Sequence, residues 1–437
     1  MTNTQMEVLE FIKENDVKFV RLAFCDLFGM QKNIAIMAEE LERAFTEGVP
    51  FDAHLIRGFK DVVDSDLLLF PDPVTLNILP WRPGPGRVVR FYGDIKNPDG
   101  SVFSHDGRSI LKEIALKTEE MGYTIKVGTE CEFYLFRNND KGEPALNPFD
   151  SGGYLDLSPL DKGENIRREI CLSLNEMRLE PEFSFHEAGP GQNEIVFKVS
   201  DPVEAADNMQ TFKTVVKAIA ERNGLFASFM PRPLPDKPGN GLHVNLSVNK
   251  KGSAGGMEES AGHFIAGILS KVNEITLFLN PTANSFERLG SYTAPKYISW
   301  SPHNRSQLVR VCSVNKSTTG ERLKIELRSP DSSVNPYLAF ALIISAGLLG
   351  VENKMELHPS LNADLYNTRE ELNKNLQRLP SGLMEAAEAA RKSDFVSSVL
   401  GEELLNKFLE FKEREAREFE ASRDKNNFYM TNYFPVL

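Results

Sequence analysis

One short stretch gives the clearest indication of the fold: it reads Lys126-Val127-Gly128-Thr129-Glu130-Cys131-Glu132-Phe133. Polar and apolar residues alternate along it with the period of two that is typical of a β-strand. Glu130 and Glu132 therefore share one face of the predicted sheet, while Cys131 and Phe133 face its core. Neighbouring carboxylates repel one another unless a cation lies between them, so this strand also predicts a charged site.

Three further segments share this character. Residues 241–247 and 324–328 read as strands with polar residues on one face, and residues 185–194 carry two glutamates across a Gly/Pro turn. A single such segment is explained by the wet face of an antiparallel sheet. Wet faces favour Thr, Lys and Ser, however, so the repeated glutamates indicate bound cations. The candidate ligands are Glu130, Glu132, Glu187, Glu194, His243 and Glu326, a set that suits Mg²⁺ or Mn²⁺ better than zinc.

Arginines cluster between residues 288 and 328, at Arg288, Arg305, Arg310 and Arg328. A planar guanidinium group matches the oxygens of a carboxylate or a phosphate, although each arginine taken alone is also explained as a surface residue. The sequence has neither a Gly-x-x-x-x-Gly-Lys-Ser/Thr loop nor a Gly-x-Gly-x-x-Gly turn, so any ATP is expected at a site made of sheet and metal. Carboxylates and arginines together indicate phosphoryl transfer.

Composition narrows the class of protein. The chain has 437 residues and a formal net charge of −12, which argues against duplex nucleic acid as a partner because phosphates need a basic face. Its four cysteines form no Cys-x-x-Cys pair, as expected in a reducing cytoplasm. The N-terminus lacks the apolar core of a signal peptide, and the longest apolar run, residues 338–351, reads as a buried helix. We therefore expect a cytoplasmic protein without a membrane segment.

Helical and strand-like segments intermix along the chain, which predicts an α+β fold with a mostly antiparallel sheet. The Pro/Gly-rich residues 80–86 and a capped helix that opens near Ser104 indicate a domain boundary near residue 100. We expect an N-terminal domain of residues 1–100, and a domain of residues 101–437 that carries the ATP, metal and substrate sites.

At these residues the chain resembles type I glutamine synthetase, in its short, alpha-like form, over almost its whole length. The matching blocks include Asn97-Pro98-Asp99-Gly100, Glu130-Cys131-Glu132-Phe133, Gly152-Gly153-Tyr154, His186-Glu187, Gly191-Gln192-Asn193-Glu194, Gly241-Leu242-His243, Asn304-Arg305-Ser306 and Asn335-Pro336-Tyr337-Leu338. The resemblance implies an N-terminal β-grasp domain and a catalytic domain with a curved antiparallel sheet flanked by helices. It also implies a dodecamer of two stacked hexameric rings with active sites at subunit interfaces. The implied cofactors are two or three Mg²⁺ or Mn²⁺ ions per active site. The implied substrates are ATP, L-glutamate and either ammonia or a primary amine.

The resemblance further implies roles for individual residues. One metal ion is matched by Glu132, Glu187 and Glu194, and the other by Glu130, His243 and Glu326. Nucleotide and phosphate contacts are matched by Glu182, Ser247, Arg305 and Arg310. Contacts to glutamate and its transferring phosphoryl group are matched by Gly239, Arg288, Arg310 and Arg328. Asp52, supplied by a neighbouring subunit, matches the aspartate that binds and deprotonates ammonium, with Tyr154 and Glu187 as further amine-site residues.

Three positions depart from the family pattern, all around the amine and glutamate sites. The flap, residues 288–295, is one residue shorter than the family's and has Thr293 where the family has a glutamate. Leu55 replaces a serine near the ammonium site, and Pro238 precedes Gly239 where an asparagine is usual. Neutral drift is one explanation. The other is an acceptor pocket that has lost negative charge and gained apolar surface, which favours an organic primary amine over ammonium.

Three functions therefore stay open. The first is a ligase that makes glutamine or another γ-glutamyl amide. The second is an inactive homologue with a structural or regulatory role, against which the retained metal ligands and arginines argue. The third is a guanidino kinase. The N-terminal block and Asp52 argue against it, because a kinase needs no acceptor base from a neighbouring subunit. We interpret His54 as a loop or interface histidine and Lys316 as a solvated loop lysine.

Overall fold

The structure is a computed structural model that describes residues 1–81, 86–250, 257–313, 323–367 and 375–437. Lys316 and residues 82–85 of the Pro/Gly-rich stretch lie outside the described residues. The described strands form two sheets, one of six strands and one of nine. The smaller sheet belongs to the first hundred residues, and the larger one carries the candidate ligands.

The N-terminal sheet has the spatial order β2-β1-β6-β4-β3, with β5 paired to β6. Its elements are α1 (Asn3–Glu14), β1 (Val17–Cys25), β2 (Gln31–Met37), α2 (Leu41–Glu47), β3 (Val49–Asp52), β4 (Asp66–Pro71), β5 (Asn77–Ile78) and β6 (Arg87–Lys96). Helix α1 begins with a capping box, in which Thr2 and Gln5 satisfy each other's backbone N–H groups. Val8 and Ile12 of α1 are buried in the core of this part of the molecule.

The large sheet has the spatial order β13-β14-β15-β12-β7-β10-β9, with β8 and β11 also paired to β7. Its strands are β7 (Tyr123–Asn138), β8 (Pro144–Pro148), β9 (Pro181–His186), β10 (Gln192–Phe197), β11 (Leu225–Ser228), β12 (Leu242–Lys250), β13 (Trp300–Ser301), β14 (Val309–Ser313) and β15 (Leu323–Leu327). The predicted mostly antiparallel sheet is confirmed, with one exception: β13 and β14 pair in parallel. Cys131 and Phe133 are fully buried, as the alternation along β7 predicts.

Helices cover the apolar side of this sheet. They are α3 (Gly107–Glu120), α4 (Glu164–Glu176), α5 (Pro202–Arg222), α6 (Met257–Leu279), α7 (Ser285–Arg288), α8 (Pro336–Glu352), α9 (Leu383–Arg391), α10 (Asp394–Leu400), α11 (Glu402–Ala421) and α12 (Lys425–Asn432). The apolar run predicted to be a buried helix lies within α8, almost all of which is buried. A search of the described residues finds no helix with the length and apolar character needed to cross a bilayer.

A buried charge network joins the N-terminal sheet to the helices beneath the large sheet. Arg108 of α3 donates through Nη1 to Asp94 at 2.6 Å and through Nη2 to Asp72 at 3.0 Å. It also donates to both carboxylate oxygens of Asp207 on α5. Tyr337 of α8 donates to Asp207 as well, at 2.6 Å. Buried charges are tolerated only when paired in this way, so the network specifies how the two parts meet.

Candidate functional site

Strand register places the candidate ligands in one row across the large sheet. Glu194 of β10 lies opposite Glu132 of β7, and Glu130 of β7 lies opposite His243 of β12. Strand β15, which carries Glu326, pairs with the other edge of β12. Because paired residues share a face, the alternation read from the sequence brings all of these side chains to the same side.

The first cluster joins Glu130, His243 and Glu326, whose ligand atoms all lie within 4.8 Å of one another. His243 Nδ1 is 3.2 Å from Glu130 Oε2 and 3.5 Å from Glu326 Oε1. Two carboxylates and one imidazole are a donor set that suits a hard or borderline divalent cation.

Cationic side chains surround these two carboxylates. Lys324 Nζ donates to Glu130 Oε1 at 3.1 Å, and Arg328 Nη1 donates to Glu326. Burial raises the pKa of Glu130, but the hydrogen bond and charge of His243 outweigh it and hold the pKa well below the usual value. Burial acts in the same way on Glu326, and the charge of Arg328 likewise lowers its pKa. Both carboxylates are therefore ionised and ready to coordinate a cation at neutral pH.

The second cluster joins Glu132, Glu187 and Glu194, again with ligand atoms within 4.8 Å of one another. Backbone N–H groups orient it: Gly241 N donates to Glu132 Oε2 at 2.7 Å, and Ala188 N donates to Glu187 Oε2 at 2.8 Å. Burial, together with the charge of Glu132, raises the pKa of Glu187 to about 7 and the pKa of Glu194 well above its usual value.

The electrostatics of the second cluster indicate what fits there. Among the described Lys, Arg and His side chains, none forms a salt bridge with its three carboxylates. Three like charges within a few ångströms are unstable unless protons or a cation neutralise them. A divalent cation with oxygen ligands, such as Mg²⁺ or Mn²⁺, relieves this repulsion, so the residues present fit the ion that the sequence predicts.

Arg288 is held rigidly at the end of α7. It is only 3% exposed, and it donates to the carbonyl oxygens of Ser329 and Arg328 at 2.8 and 3.2 Å. Two glycines leave room for it: a Cβ at Gly241 would lie 2.7 Å from Arg288 Nη2, and one at Gly239 would lie 3.0 Å from Arg288 Cγ. Close approach to the guanidinium group is a physical reason for glycine at position 241, whereas at position 239 a Cβ would first meet the carbonyl oxygen of Pro231, at 2.3 Å.

Arg310 and Arg328 converge on one carboxylate. Arg310 Nη1 donates to Glu326 Oε2 at 2.8 Å, and Arg328 Nη1 donates to the other oxygen. Arg328 Nε is buried and has no hydrogen-bond partner in the part of the chain that the structure describes, and the same holds for Ser329 Oγ. A buried donor without an acceptor is costly, so an anionic substrate group at this point would stabilise the site.

Family models match both parts of the chain. The "Glutamine synthetase, beta-Grasp domain" matches residues 16–98, and the "Glutamine synthetase, catalytic domain" matches residues 104–431. The chain belongs to the glutamine synthetase family. The β-grasp domain and the α+β catalytic domain expected from the resemblance are thereby confirmed.

Relatives of known name agree with this assignment. The chain is 42% identical to a glutamine synthetase of Methanosarcina mazei, over 96% of this chain and 95% of that protein. It is 40% identical to a glutamine synthetase of Clostridium saccharobutylicum, over 98% of both. A solved structure described as "GmaS/ADP complex-Conformation 1" is 28% identical, with a TM-score of 0.85 over 97% of this chain and 99% of that one.

Membership of the glutamine synthetase family defines the class of reaction. The protein is an ATP-dependent ligase that forms a C–N bond. The family uses divalent metal ions and ATP, which agrees with the two carboxylate clusters and the arginines around them.

The residues matched to the family's nucleotide contacts lie on three different elements. Ser247 is half-buried on β12, and Arg305 is exposed in the loop that precedes β14. Glu182 is exposed on β9, at a bulge: Val196 pairs with Phe183 whereas the next residue of β10 pairs with Pro181. A bulge re-aims the side chain that it skips, so strict alternation could not predict the direction of Glu182.

Asp52 lies away from the carboxylate clusters, at the end of the edge strand β3 of the N-terminal sheet. It is exposed and accepts a hydrogen bond from His54 N at 3.1 Å, which lowers the pKa of its carboxyl group. Leu55 follows with 74% of its surface exposed. His54, interpreted as a loop histidine, lies 3.5 Å from Asp52 through Nδ1.

The other amine-side and substrate-side residues line open surface. Tyr154 is 59% exposed, and its ring meets the ring of Phe185 edge-on with centroids 5.7 Å apart. Thr293 is exposed on the flap. The carbonyl of Pro238 accepts a hydrogen bond from Tyr134 at 2.7 Å, so this departure from the family pattern sits in an ordered loop.

Sequence reasoning missed several side chains that support the clusters. Asn245 donates to Glu130 at 2.9 Å, and Gln192 donates to Glu132 at 3.3 Å. Alternation along the strand already indicates that Asn245 shares a face with His243, but not that it bonds to Glu130. The hydroxyl of Tyr366 bonds to the flap, and no local sequence pattern predicts this contact.

The contacts of His186 give it a structural role. It is fully buried, with Nε2 2.9 Å from Asp150 Oδ1 and Nδ1 2.6 Å from the carbonyl of Glu187. Asp150 also accepts from Gly191 N at 2.7 Å, and Asp161 pairs with Arg167. These three groups come within 4.8 Å of one another, but donors already occupy their oxygens, so they brace Glu187.

Proposed function

We propose that this ligase joins the side-chain carboxylate of L-glutamate to an amine in two steps. ATP first phosphorylates the carboxylate to give γ-glutamyl phosphate. The amine then attacks the acyl carbon, and the bond to the phosphate oxygen breaks to release phosphate. The observation that carries this proposal is the pair of carboxylate clusters with the unpartnered donor Arg328 Nε beside them. This arrangement suits the neutralisation of developing phosphoryl charge.

Each group of residues has a defined task in this proposal. Glu132, Glu187 and Glu194 hold one ion, and Glu130, His243 and Glu326 hold the other. Mg²⁺ bound there would withdraw charge from the phosphate oxygens of ATP. Arg305 and Arg310 contact phosphate, while Gly239, Arg288 and Arg328 contact glutamate and its transferring phosphoryl group. Glu182 and Ser247 contact the nucleotide.

The acceptor side is assigned to Asp52 and Tyr154. The ionised carboxylate of Asp52 would take a proton from the incoming ammonium group, because only a neutral amine is nucleophilic. Asp52 is exposed at a sheet edge on the N-terminal part and bonds to its neighbour His54. We therefore propose that a second subunit supplies it, in a dodecamer of two hexameric rings. Light scattering of the purified protein tests the size of the assembly.

We propose that the preferred acceptor is an organic primary amine. Thr293 removes a negative charge from the flap, and Leu55 adds an exposed apolar side chain beside Asp52. A small, strongly hydrated ammonium ion loses more from the missing charge than an alkylammonium ion does, because the latter also buries carbon. The second candidate is ordinary glutamate–ammonia ligation, which the name glutamine synthetase of the relatives at 40–42% identity favours.

One assay separates these candidates. Phosphate release is measured with ATP, Mg²⁺ and a matrix of carboxylic acids against ammonia and primary amines. We expect glutamate-dependent turnover that is fastest with a primary amine. Efficient turnover of ammonia at low millimolar concentration, with no response to the amines, would leave ordinary glutamine synthesis as the function. No glutamate-dependent ADP with any acceptor would indicate an inactive homologue.

A flap variant tests the reason for the preference. Thr293→Glu restores a carboxylate, and we expect it to raise kcat/KM for ammonia relative to a primary amine by about tenfold, the effect of one charge near a cation at a partly wet site. Thr293→Gln is the matched control, since it has the same shape without the charge. Equal shifts in both variants would show that size and not charge sets the preference.

A further inference from the structure

A segment that follows α8 is hydrogen-bonded to the flap and to residues 304–306, which we name the arginine loop. Residues 358–366, which we name the strap, follow α8 and cross the surface beside β13. Leu361 N donates to Trp300 O at 2.9 Å, and Trp300 Nε1 donates to His358 O at 2.7 Å. These bonds tie the beginning of the strap to the residues that follow the flap.

The middle of the strap is bonded to both neighbours of Arg305. The carbonyl of Ala363 accepts from Asn304 Nδ2 at 2.8 Å and from Ser306 Oγ at 3.2 Å. Leu365 N donates to Ser306 Oγ at 3.0 Å. The backbone on either side of Arg305 is therefore positioned by the strap and not by a strand of the large sheet.

Tyr366 ends the strap with its hydroxyl between two backbone carbonyls. The oxygen lies 2.5 Å from Thr293 O on the flap and 2.6 Å from Arg305 O on the arginine loop. A phenol has one proton, so it donates to one carbonyl at a time and holds both close. Asp364 fixes the approach, since its Oδ1 accepts from Tyr366 N at 3.0 Å.

The flap needs such a clasp because its own backbone is unfavourable. Gly290 and Tyr292 have φ angles of +77° and +48°, and the left-handed region is costly for a tyrosine. Within the flap, Ser291 N bonds to Arg288 O and Ala294 N bonds to Ser291 O, both at 3.0 Å. These turn bonds bend the flap without attaching its far side to the rest of the site.

We propose that Tyr366 is a positioning residue whose hydroxyl clasps the flap to the backbone of Arg305 and so keeps water from the activated glutamate. The inference rests on the two-step reaction proposed above, and it deepens that reaction. With the clasp open, a water molecule bonds to the acyl carbon of γ-glutamyl phosphate and the bond from that carbon to the phosphate oxygen breaks. The products are glutamate, phosphate and a proton, so ATP is cleaved without amide formation.

The phenol is suited to this task at neutral pH. Burial raises the pKa of Tyr366, while the charges of Arg328 and Arg288 act in the opposite direction and are outweighed. The hydroxyl therefore keeps its proton and remains a donor to the carbonyls.

The test is the ratio of ADP to amide formed by Tyr366→Phe, with the acceptor that wild type uses best, ammonia included. We expect one ADP per amide in wild type. In the variant we expect a several-fold excess of ADP and a KM for the acceptor raised roughly five- to tenfold, the equivalent of one lost hydrogen bond. The melting temperature should change little, because the ring is retained and the side chain is 36% exposed.

Tyr433→Phe is the matched control. Its hydroxyl donates to Glu415 and accepts from Ala283 N in the helical part of the molecule. This variant should lose stability and keep the ratio of ADP to amide at that of wild type. An unchanged ratio in Tyr366→Phe beside a coupled wild type would overturn the clasp alone. A wild type that forms no amide with any acceptor would overturn the two-step reaction and the clasp together.

Discussion

At the scale of single residues, the site contains carboxylates that repel one another and a buried hydrogen-bond donor that lacks an acceptor. Glu187 and Glu194 are held next to Glu132, and burial together with the charge of Glu132 raises the pKa of both. Arg328 Nε is a buried donor without an acceptor among the described residues. A cation at the first group and an anion at the second would stabilise both, which is what the proposed metal–phosphate substrate would supply.

Gly241 allows a direct test at this scale. We expect Gly241→Ala to raise the KM for glutamate about tenfold with a smaller change in kcat, because a Cβ would lie 2.7 Å from Arg288 Nη2 and displace the guanidinium group. Steady-state kinetics with glutamate as the varied substrate provide the measurement. Gly382→Ala is the control, since a Cβ there meets nothing within 4 Å. An unaltered KM would show that Arg288 does not need this space.

At the scale of secondary-structure elements, close helix packing supports the sheet from below. Helix α6 crosses α8 with glycines at the contact: a Cβ at Gly267 would lie 2.1 Å from the carbonyl oxygen of Ala346. Backbone atoms cannot move aside as a flexible side chain can, so the crossing depends on this glycine.

Two substitutions on the same helix separate packing from helix propensity. Gly267→Ala should destabilise the protein by about 2–3 kcal/mol, because the two helices must move apart. Gly262→Ala has open space around its Cβ and should instead stabilise by roughly 0.5–1 kcal/mol, through the higher helix propensity of alanine. Urea unfolding of both variants measures the difference. A stabilised Gly267→Ala would contradict the close approach of the helices.

The first turn of α3 carries a buried acid. Asp106 caps this helix, accepting from Arg108 N at 3.2 Å and from Ser109 Oγ at 2.6 Å. Burial raises its pKa from 3.8 to about 6, with the charge of Asp94 acting in the same direction. The folded state therefore keeps a proton that the unfolded chain releases near pH 3.8. The stability linked to that proton is complete below 3.8 and is lost as pH rises through about 6.

Asp106→Asn should remove this dependence, because an amide does not titrate. The stability of wild type relative to the variant should fall by about 1–3 kcal/mol between pH 4 and pH 7. Urea unfolding at several pH values gives the comparison. Asp99→Asn is the control: hydrogen bonds from Ser101 lower the pKa of this exposed acid, so its protonation changes below this pH window. A constant difference across the window would contradict the raised pKa of Asp106.

At the scale of the whole molecule, charge and not apolar surface alone joins the N-terminal sheet to the catalytic part. Arg108 lies between three aspartates, Asp72, Asp94 and Asp207, and is 4% exposed. Apolar contacts contribute as well, because Leu27 and Leu79 of the N-terminal part belong to the core of the catalytic part. The orientation of Asp52 in any assembly thus depends on a junction formed by ion pairs together with apolar contacts.

Arg108→Ala should destabilise this junction by about 3 kcal/mol, because the buried Asp207 would lose its cation whereas Lys112 would still pair with Asp72 and Asp94. Arg43→Ala, which removes an exposed pair with Glu40 at 2.8 Å, should cost less than about 1 kcal/mol. Urea unfolding and limited proteolysis near residue 100 provide the measurements. Equal effects of the two substitutions would show that the junction does not depend on Arg108.

Local periodicity explains why much of the fold was predictable. The faces of β7, β12 and β15 follow from alternation alone, and the apolar run of residues 338–351 predicted the buried helix α8. The candidate metal ligands were selected for the same reason, since residues two apart on a strand must share a face. Adjacent strands then placed Glu194 opposite Glu132 and Glu130 opposite His243.

Contacts between distant parts of the chain were beyond local patterns. Tyr366 reaches the flap across 73 residues, and Arg108 reaches Asp207 across 99 residues. The bulge at Glu182 and the parallel pairing of β13 with β14 likewise depend on how neighbouring strands pair. Such contacts depend on the paths of loops, which carry no period for a sequence to display.

The sequence by itself therefore determined which side chains share the charged face of the sheet and to which family the chain belongs. Only the tertiary structure decided which charged groups surround that face and which distant residues hydrogen-bond to the loops beside it. Periodicity is a property of the backbone and can be read one strand at a time. The charge around each carboxylate, and the hydroxyl that holds the flap, depend on which distant residues the fold brings within hydrogen-bonding distance.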